Sequence, residues 1–554
     1  MTSSLANADR QPAVSSAPGG DVTLAQRFRR WRRPLTALAF LACAALYLAA
    51  INPRLYAWGD DGAYLAVARA IATGQGLRDI AQPGNPRFPY PVPLFPIMLA
   101  PFVYFFGYAL VPIKIFVALT GVVAVYVAWR LFARLLDPVR AALLAALVAV
   151  SPQLVSFSHQ EMAETPYVAL SLGALLWAMR YGAELEWRTR AGVVTAILVA
   201  AALLTRTVGA ALVLGVGLYM LIEGAGPTRR RVAKAALIGG TSAAAWLLAN
   251  AAILTRLRYV SDYRHGTHAG RGLLGRLAAN IANYREALPE MVFSEPWHWQ
   301  HRLYGKGDLT PVALALLLIA SAVLVATIIG FFFSAIRRRS PLEYYAIFYG
   351  AALMVFDPSN GANLRRYVVP AIPLVLYYFV RGVEAIGIAV VRGARGWPAG
   401  ERVWRVVTVT GLALLLLTNF SDTLLGSVLR VRPEQFDFYP GNDYAGYQRM
   451  GEWVRANTPP RSLVATQRDC RNFHVWAERQ CVWLNVDSAS PDSALAEALR
   501  RQRVSYIALG WSREAVDTLR RAIVARDTAD FVRVYADGAN LVYRLRAEGR
   551  GAAP

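Results

Sequence analysis

Long apolar runs separated by short clusters of arginine constrain this chain more than any other feature of its sequence. The first run, Leu35 to Ile51, follows Arg27, Arg29, Arg30, Arg32 and Arg33. Similar runs recur as far as position 423, near the length a helix needs to cross a bilayer's hydrocarbon, about 20 residues. With 56% hydrophobic residues and a mean hydropathy of +0.33, this composition is that of a polytopic membrane protein and not of a soluble globule. A net charge of +23 would suit a nucleic-acid binder if the cations shared one face. Here they sit between apolar runs, so membrane topology accounts for most of the excess. Lysine occurs only at Lys114, Lys234 and Lys306, which reads as a genomic preference for arginine.

Residues Met1 to Asp21 are rich in Ser, Ala, Pro and Gly and read as a disordered tail. With the following arginines they make a cytoplasmic segment over 1–33. The run after it resembles the apolar part of a signal peptide. It is long, has no convincing small-residue cleavage site and precedes many more runs, so it reads as an uncleaved first span.

Spans are expected near 35–51, 110–133, 139–157, 165–180, 191–205, 207–222, 234–254, 311–334, 342–356, 367–382 and 403–423. Every second connection carries cations, which places the N-terminus in the cytoplasm and the C-terminus outside. Pro91 to Gly107 is apolar enough to span, yet counting it would turn the Arg229–Arg231 and Arg337–Arg339 clusters outward. With Pro91, Pro93, Pro96 and Pro101, it reads as an interfacial helix in the first outer loop. The expected architecture is a membrane domain over 34–428 and a soluble extracytoplasmic α/β domain over 429–554. In the latter, helices are expected at 443–457, 493–502 and 513–526, and strands at 462–466, 504–509, 531–535 and 541–545. That domain lacks a Gly-rich phosphate loop, and no Cys/His spacing suggests a zinc site. In an oxidising compartment Cys470 and Cys481 could form a disulfide; two free thiols is the alternative. Cys43, inside the first span, reads as a packing residue.

Charge alternation gathers the unusual polar residues on the outer face. They are Asp60 and Asp61 within Trp58-Gly-Asp-Asp-Gly-Ala-Tyr64, the turn Ser158-His-Gln-Glu-Met-Ala-Glu164, Arg206, and the stretch Asp357 to Tyr367. Adjacent carboxylates at a membrane edge are costly unless water, a metal or a substrate uses them. Asp60 also suits a helix N-cap, so a cap, a general base and a metal ligand all stay open. His265, His268, Glu290, Glu295, His298 and His301 match no metal spacing and read as a polar loop.

The first outer loop, from Trp58 through Ala68-Arg-Ala-Ile-Ala-Thr-Gly-Gln-Gly76, resembles that of GT-C fold glycosyltransferases. The similarity is to the branch holding dolichyl-phosphate-mannose–protein mannosyltransferases and the aminoarabinose transferase of lipid A. Tyr90-Pro-Val-Pro-Leu-Phe-Pro96 is similar to the proline element of that branch, with Val92 interrupting its double proline. Glu164 matches the acidic residue that opens the fourth span, with Glu161 as the alternative. Leu204-Thr-Arg-Thr207 and Leu364-Arg-Arg-Tyr-Val-Val-Pro-Ala-Ile-Pro373 are similar to further family elements.

The resemblance implies an inverting transfer of a sugar from a polyprenyl-phosphate donor to an acceptor hydroxyl at the outer face of the cytoplasmic membrane. Asp60 would be the base, and Asp61 and Glu164 would orient the acceptor or hold a divalent cation. Arg206, Arg365 and Arg366 would neutralise the leaving phosphate. Tyr64, His159, Glu161 and Tyr367 would complete the substrate site. No other cofactor and no nucleic acid is expected. Arg365 and Arg366 could instead snorkel to lipid headgroups. A polyprenyl-linked polymer ligase and a lipid or solute transporter are the alternatives. A transporter would tend to show inverted repeats and mid-span charges. The sequence shows no internal repeat, and sugar and acceptor are not legible in it.

Overall fold

The computed structural model describes residues 24–55, 60–251, 272–287, 291–293, 311–355, 366–393, 400–429, 444–466, 470–484, 494–510 and 530–546. The helices of the first part are α1 (Leu24–Ala49), α2 (Asp60–Ala72), α3 (Leu94–Phe106), α4 (Leu110–Leu135), α5 (Pro138–Ala149), α6 (Pro152–Ser158), α7 (Glu164–Ala183), α8 (Arg190–Thr205), α9 (Gly209–Ile222) and α10 (Thr228–Asn250). They continue as α11 (Leu273–Ala287), α12 (Pro311–Arg337), α13 (Pro341–Val355), α14 (Ile372–Gly393) and α15 (Gly400–Thr423). Over the described residues nine of the expected spans fall on one helix each, and 367–382 runs through a 3₁₀ turn, Val369–Ala371, into α14. The eleventh, 139–157, is α5 and α6, bent by 53°. Pro152 supplies no amide donor and holds Ser151 extended (φ −62, ψ 117), so the helix breaks there.

Among the described residues, five helices are long and apolar enough to cross a membrane: Leu110–Leu135, Thr228–Asn250, Leu318–Arg337, Arg366–Val391 and Arg402–Leu429, with the bent pair as a sixth. In hydrocarbon every backbone group must be satisfied within its own segment, which is why helices fill this part of the chain. Their ends carry local signals. Asp137 caps α5, accepting from Val139 N at 3.2 Å and Arg140 N at 3.1 Å, with Pro138 at the first helical position. α12 and α14 meet backbone to backbone, because a Cβ on Gly330 would lie 2.5 Å from the Gly382 amide. α3, 13 residues long, ends at Gly107 with φ 60.

The C-terminal part holds α16 (Tyr444–Asn457), α17 (Cys470–Ala477), α18 (Ala494–Arg501) and a five-stranded sheet of order β2-β1-β3-β5-β4. β1 (Leu463–Thr466) pairs in parallel with β2 (Gln480–Trp483) and β3 (Tyr506–Leu509). β5 (Asn540–Leu545) runs antiparallel to β3 and to β4 (Phe531–Asp537). α17 and β2 were not among the expected elements, and the helix expected at 513–526 lies outside the described residues. α17 packs on α2, which brings the two parts of the chain together beside Asp60.

Candidate active site

Asp60 and Asp61 open α2, where acidic side chains complement the exposed amides and positive end of a helix. Consecutive helical residues point about 100° apart, and the structure separates the pair on that basis. The Asp60 side chain is 33% exposed, whereas Asp61 is fully buried. Asp60 Oδ2 lies 2.7 Å from Arg366 Nη1. Arg366 also donates its Nε to Glu164 Oε1 at 3.0 Å. Arg206 pairs with that same Glu164 oxygen. Four residues from α2, the start of α7, the end of α8 and the approach to α14 thus form one chain of alternating charge. Arg206 stands as C-cap of α8 in extended conformation (φ −147, ψ 140), which turns it away from the helix. Pro370 lies in a 3₁₀ turn, Val369–Ala371, that links the Arg366 segment to α14.

Tyr64 is buried one turn after Asp60, within the field of Asp60, Arg366, Glu164 and Arg206. Tyr367 is half-buried, and its carbonyl accepts from Tyr349 Oη at 2.7 Å. Arg365 and the six residues His265 to His301 of the polar loop lie outside the described residues.

A second buried cluster lies beside the first. Lys114, on α4, sits 3.6 Å from Glu161 Oε1, with both side chains fully buried. Its ammonium donates to Asn52 Oδ1 at 3.2 Å and to the Arg54 carbonyl, and it feels the charge of Asp61. Burial pushes the Glu161 carboxyl above its usual range, against the pull of Lys114. Burial and the neighbouring Lys114 hold the His159 imidazole down to about 3. His159, Glu161 and Asp61 are therefore interior groups in this structure, and the acid that joins Asp60 is Glu164. A shared metal role for Asp61 and Glu164 does not fit this arrangement. Glu164 meets two guanidiniums, Asp61 faces an ammonium, and no three His, Cys, Asp or Glu among the described residues come together to hold an ion.

Lys114 was absent from the candidate residues, although it is the one charged residue within the apolar run 110–129. That isolation was the available signal. Contacts from the C-terminal part were also missed. Arg471 Nε pairs with Asp79 Oδ2 at 2.7 Å, and Tyr108 Oη meets His474 Nε2 at 3.1 Å. Cys470 and Cys481 are joined by a disulfide, with Cα atoms 5.4 Å apart.

Residues 88–255 match the family model for dolichyl-phosphate-mannose-protein mannosyltransferase. No sequence among curated proteins matches the chain. Among solved structures, ArnT from Cupriavidus metallidurans bound to undecaprenyl phosphate is similar, with a TM-score of 0.55 at 14% identity over 92% of this chain and 98% of that one. The archaeal oligosaccharyltransferase AglB from Archaeoglobus fulgidus, in complex with an inhibitory peptide and a dolichol-phosphate, gives a TM-score of 0.53 at 14% identity over 86% of this chain and 70% of that one. The chain thus has the GT-C fold of these membrane glycosyltransferases, and its residues 88–255 resemble the mannosyltransferase family.

Proposed function

We propose that the enzyme moves a sugar from a polyprenyl-phosphate donor to an acceptor hydroxyl at the outer face of the cytoplasmic membrane, inverting the anomeric carbon. The observation that carries this reading is the convergence of Asp60, Glu164, Arg206 and Arg366 in one charge network. Two guanidiniums beside a half-exposed carboxylate suit the reaction's two charges. The donor's phosphate leaves as an anion, and Arg206 and Arg366 stabilise it through charge-assisted hydrogen bonds. Asp60 takes the proton of the acceptor hydroxyl as that oxygen bonds to the anomeric carbon and the sugar–phosphate bond breaks. Arg366 is paired with Asp60 in the resting site, and an incoming phosphate competes for the same guanidinium. The carboxylate is then freed for the acceptor when donor is present. Glu164 anchors both arginines. The similar structures bound to undecaprenyl phosphate and dolichol-phosphate support a lipid phosphate as the leaving group.

The test uses the full chain in nanodiscs. Polyprenyl-phosphate hexoses and pentoses with a labelled sugar are offered with a cell-envelope extract as acceptor. Asp60→Asn is expected to abolish label transfer while donor still binds. Transfer that survives unchanged removes Asp60 as the base.

A further inference from the structure

The first amides of α2 have no acceptor within their own helix. One of them, Gly62 N, donates to Asn472 Oδ1 at 3.0 Å in a buried contact that joins residues 410 apart in sequence. Such an acceptor ordinarily comes from the residue that precedes the helix. Here it comes from α17 of the C-terminal domain. The approach is close enough to require glycine. A Cβ on Gly62 would strike the Asn472 side chain and lie 2.6 Å from the Asn472 amide nitrogen and the Arg471 carbonyl carbon. This accounts for a poor helix former between Asp61 and Ala63 in the first turn.

α17 is itself held in place. Arg471 pairs with Asp79 at 2.7 Å, the Cys481 amide donates to the Ala81 carbonyl at 2.9 Å, and the disulfide ties the first residue of α17 to β2. We infer that Asn472 is a positioning residue for catalysis: it caps α2 from the C-terminal domain and so fixes the pose of Asp60, two residues before the capped amide. The inference rests on the reading of Asp60 as the base. It makes the C-terminal domain part of the catalytic apparatus through one side chain that touches no substrate. A misplacement of the base by about 1 Å lowers the rate about 10²-fold.

Three variants of the full chain in nanodiscs test this: Asn472→Leu, which keeps the volume and removes the acceptor, Asn472→Asp, which keeps the acceptor, and Gly62→Ala. Asn472→Leu and Gly62→Ala are expected to lower kcat by roughly 10- to 100-fold with the donor KM unchanged within about twofold. Amide exchange in peptides covering 60–72 is expected to rise. Asn472→Asp is expected to keep most of kcat, because its carboxylate still accepts from Gly62 N. Loss of kcat at unchanged donor KM, restored by Asn472→Asp, is a pattern that a merely structural residue would not give. Wild-type kcat in Asn472→Leu beside an inactive Asp60→Asn overturns the inference and leaves the base standing. An active Asp60→Asn overturns both. Should Asn472→Leu fail to fold, wild-type kcat in Gly62→Ala is sufficient to overturn the inference.

Discussion

Arg366 Nη1 lies 2.7 Å from Asp60 Oδ2, on the same guanidinium whose Nε reaches Glu164. A planar fork can hold two carboxylates at fixed angles, and an ammonium cannot. Arg366→Lys is therefore expected to behave as a loss and not as a conservative change. Transfer should fall about 10²-fold or more, with a raised donor KM, in the labelled-donor assay. Near-wild-type kcat in that variant would take the guanidinium geometry out of the mechanism.

Glu164 is fully buried and serves two arginines whose side chains are each 10% exposed. Removing one member of a buried pair leaves an uncompensated charge, which costs roughly 3–5 kcal/mol. Glu164→Gln should lower the thermal unfolding midpoint markedly, and Arg206→Met should lower it less, because Glu164 keeps Arg366. The double variant should be less destabilised than the sum of the two, because Arg206→Met removes the charge that Glu164→Gln strands. Strict additivity in unfolding measurements would show that the two side chains do not act as a pair.

The helices were legible because apolar runs and their flanking arginines are local signals, and each expected span overlaps helix within the described residues. The break at Ser151-Pro152 was legible in principle, since proline excludes a continuous helix there, but the surrounding apolar run concealed it. α17 and β2 are short, eight and four residues, and carry little periodicity. At the site, the resemblance to a known loop pointed to Asp60, Glu164, Arg206 and Arg366. It named Asp60 as the base and Asp61 as an orienting or metal-holding group, but did not show that α2 exposes the one and buries the other. Nor could spacing connect Lys114 to Glu161 or Asn472 to Gly62, because those contacts arise only when distant helices pack.

Lys114 and Glu161 form the most deeply buried ion pair near the site, 3.6 Å apart and fully enclosed. Lys114 also holds Asn52 and the Arg54 carbonyl, on the segment that leads to α2. Lys114→Met is expected to destabilise the protein by roughly 3–5 kcal/mol, since Glu161 is left alone in the interior. Adding Glu161→Gln should restore much of the unfolding midpoint. Transfer activity should stay low in the double variant, because Asn52 and Arg54 remain untethered. Full activity in the double variant would reduce the pair to a packing role.

His474 offers a pH test of the contact between the two parts of the chain. It is buried, with Nδ1 2.9 Å from the Arg479 carbonyl and Nε2 3.1 Å from Tyr108 Oη. Burial pushes the imidazole below its ordinary value of 6.5. As pH falls through that value the unfolded chain takes up a proton and the native one does not. The native state is therefore favoured fully above it and loses stability below it, by up to about 1.4 kcal/mol per pH unit. His159, held down to about 3 by burial, acts in the same direction, so the dependence has more than one source. The unfolding midpoint of the wild type should be flat above the ordinary imidazole value and fall below it. His474→Gln, which cannot titrate, should show a shallower fall over the same interval. Identical slopes for the two proteins would mean that native His474 titrates normally and that its contact with Tyr108 opens freely to water.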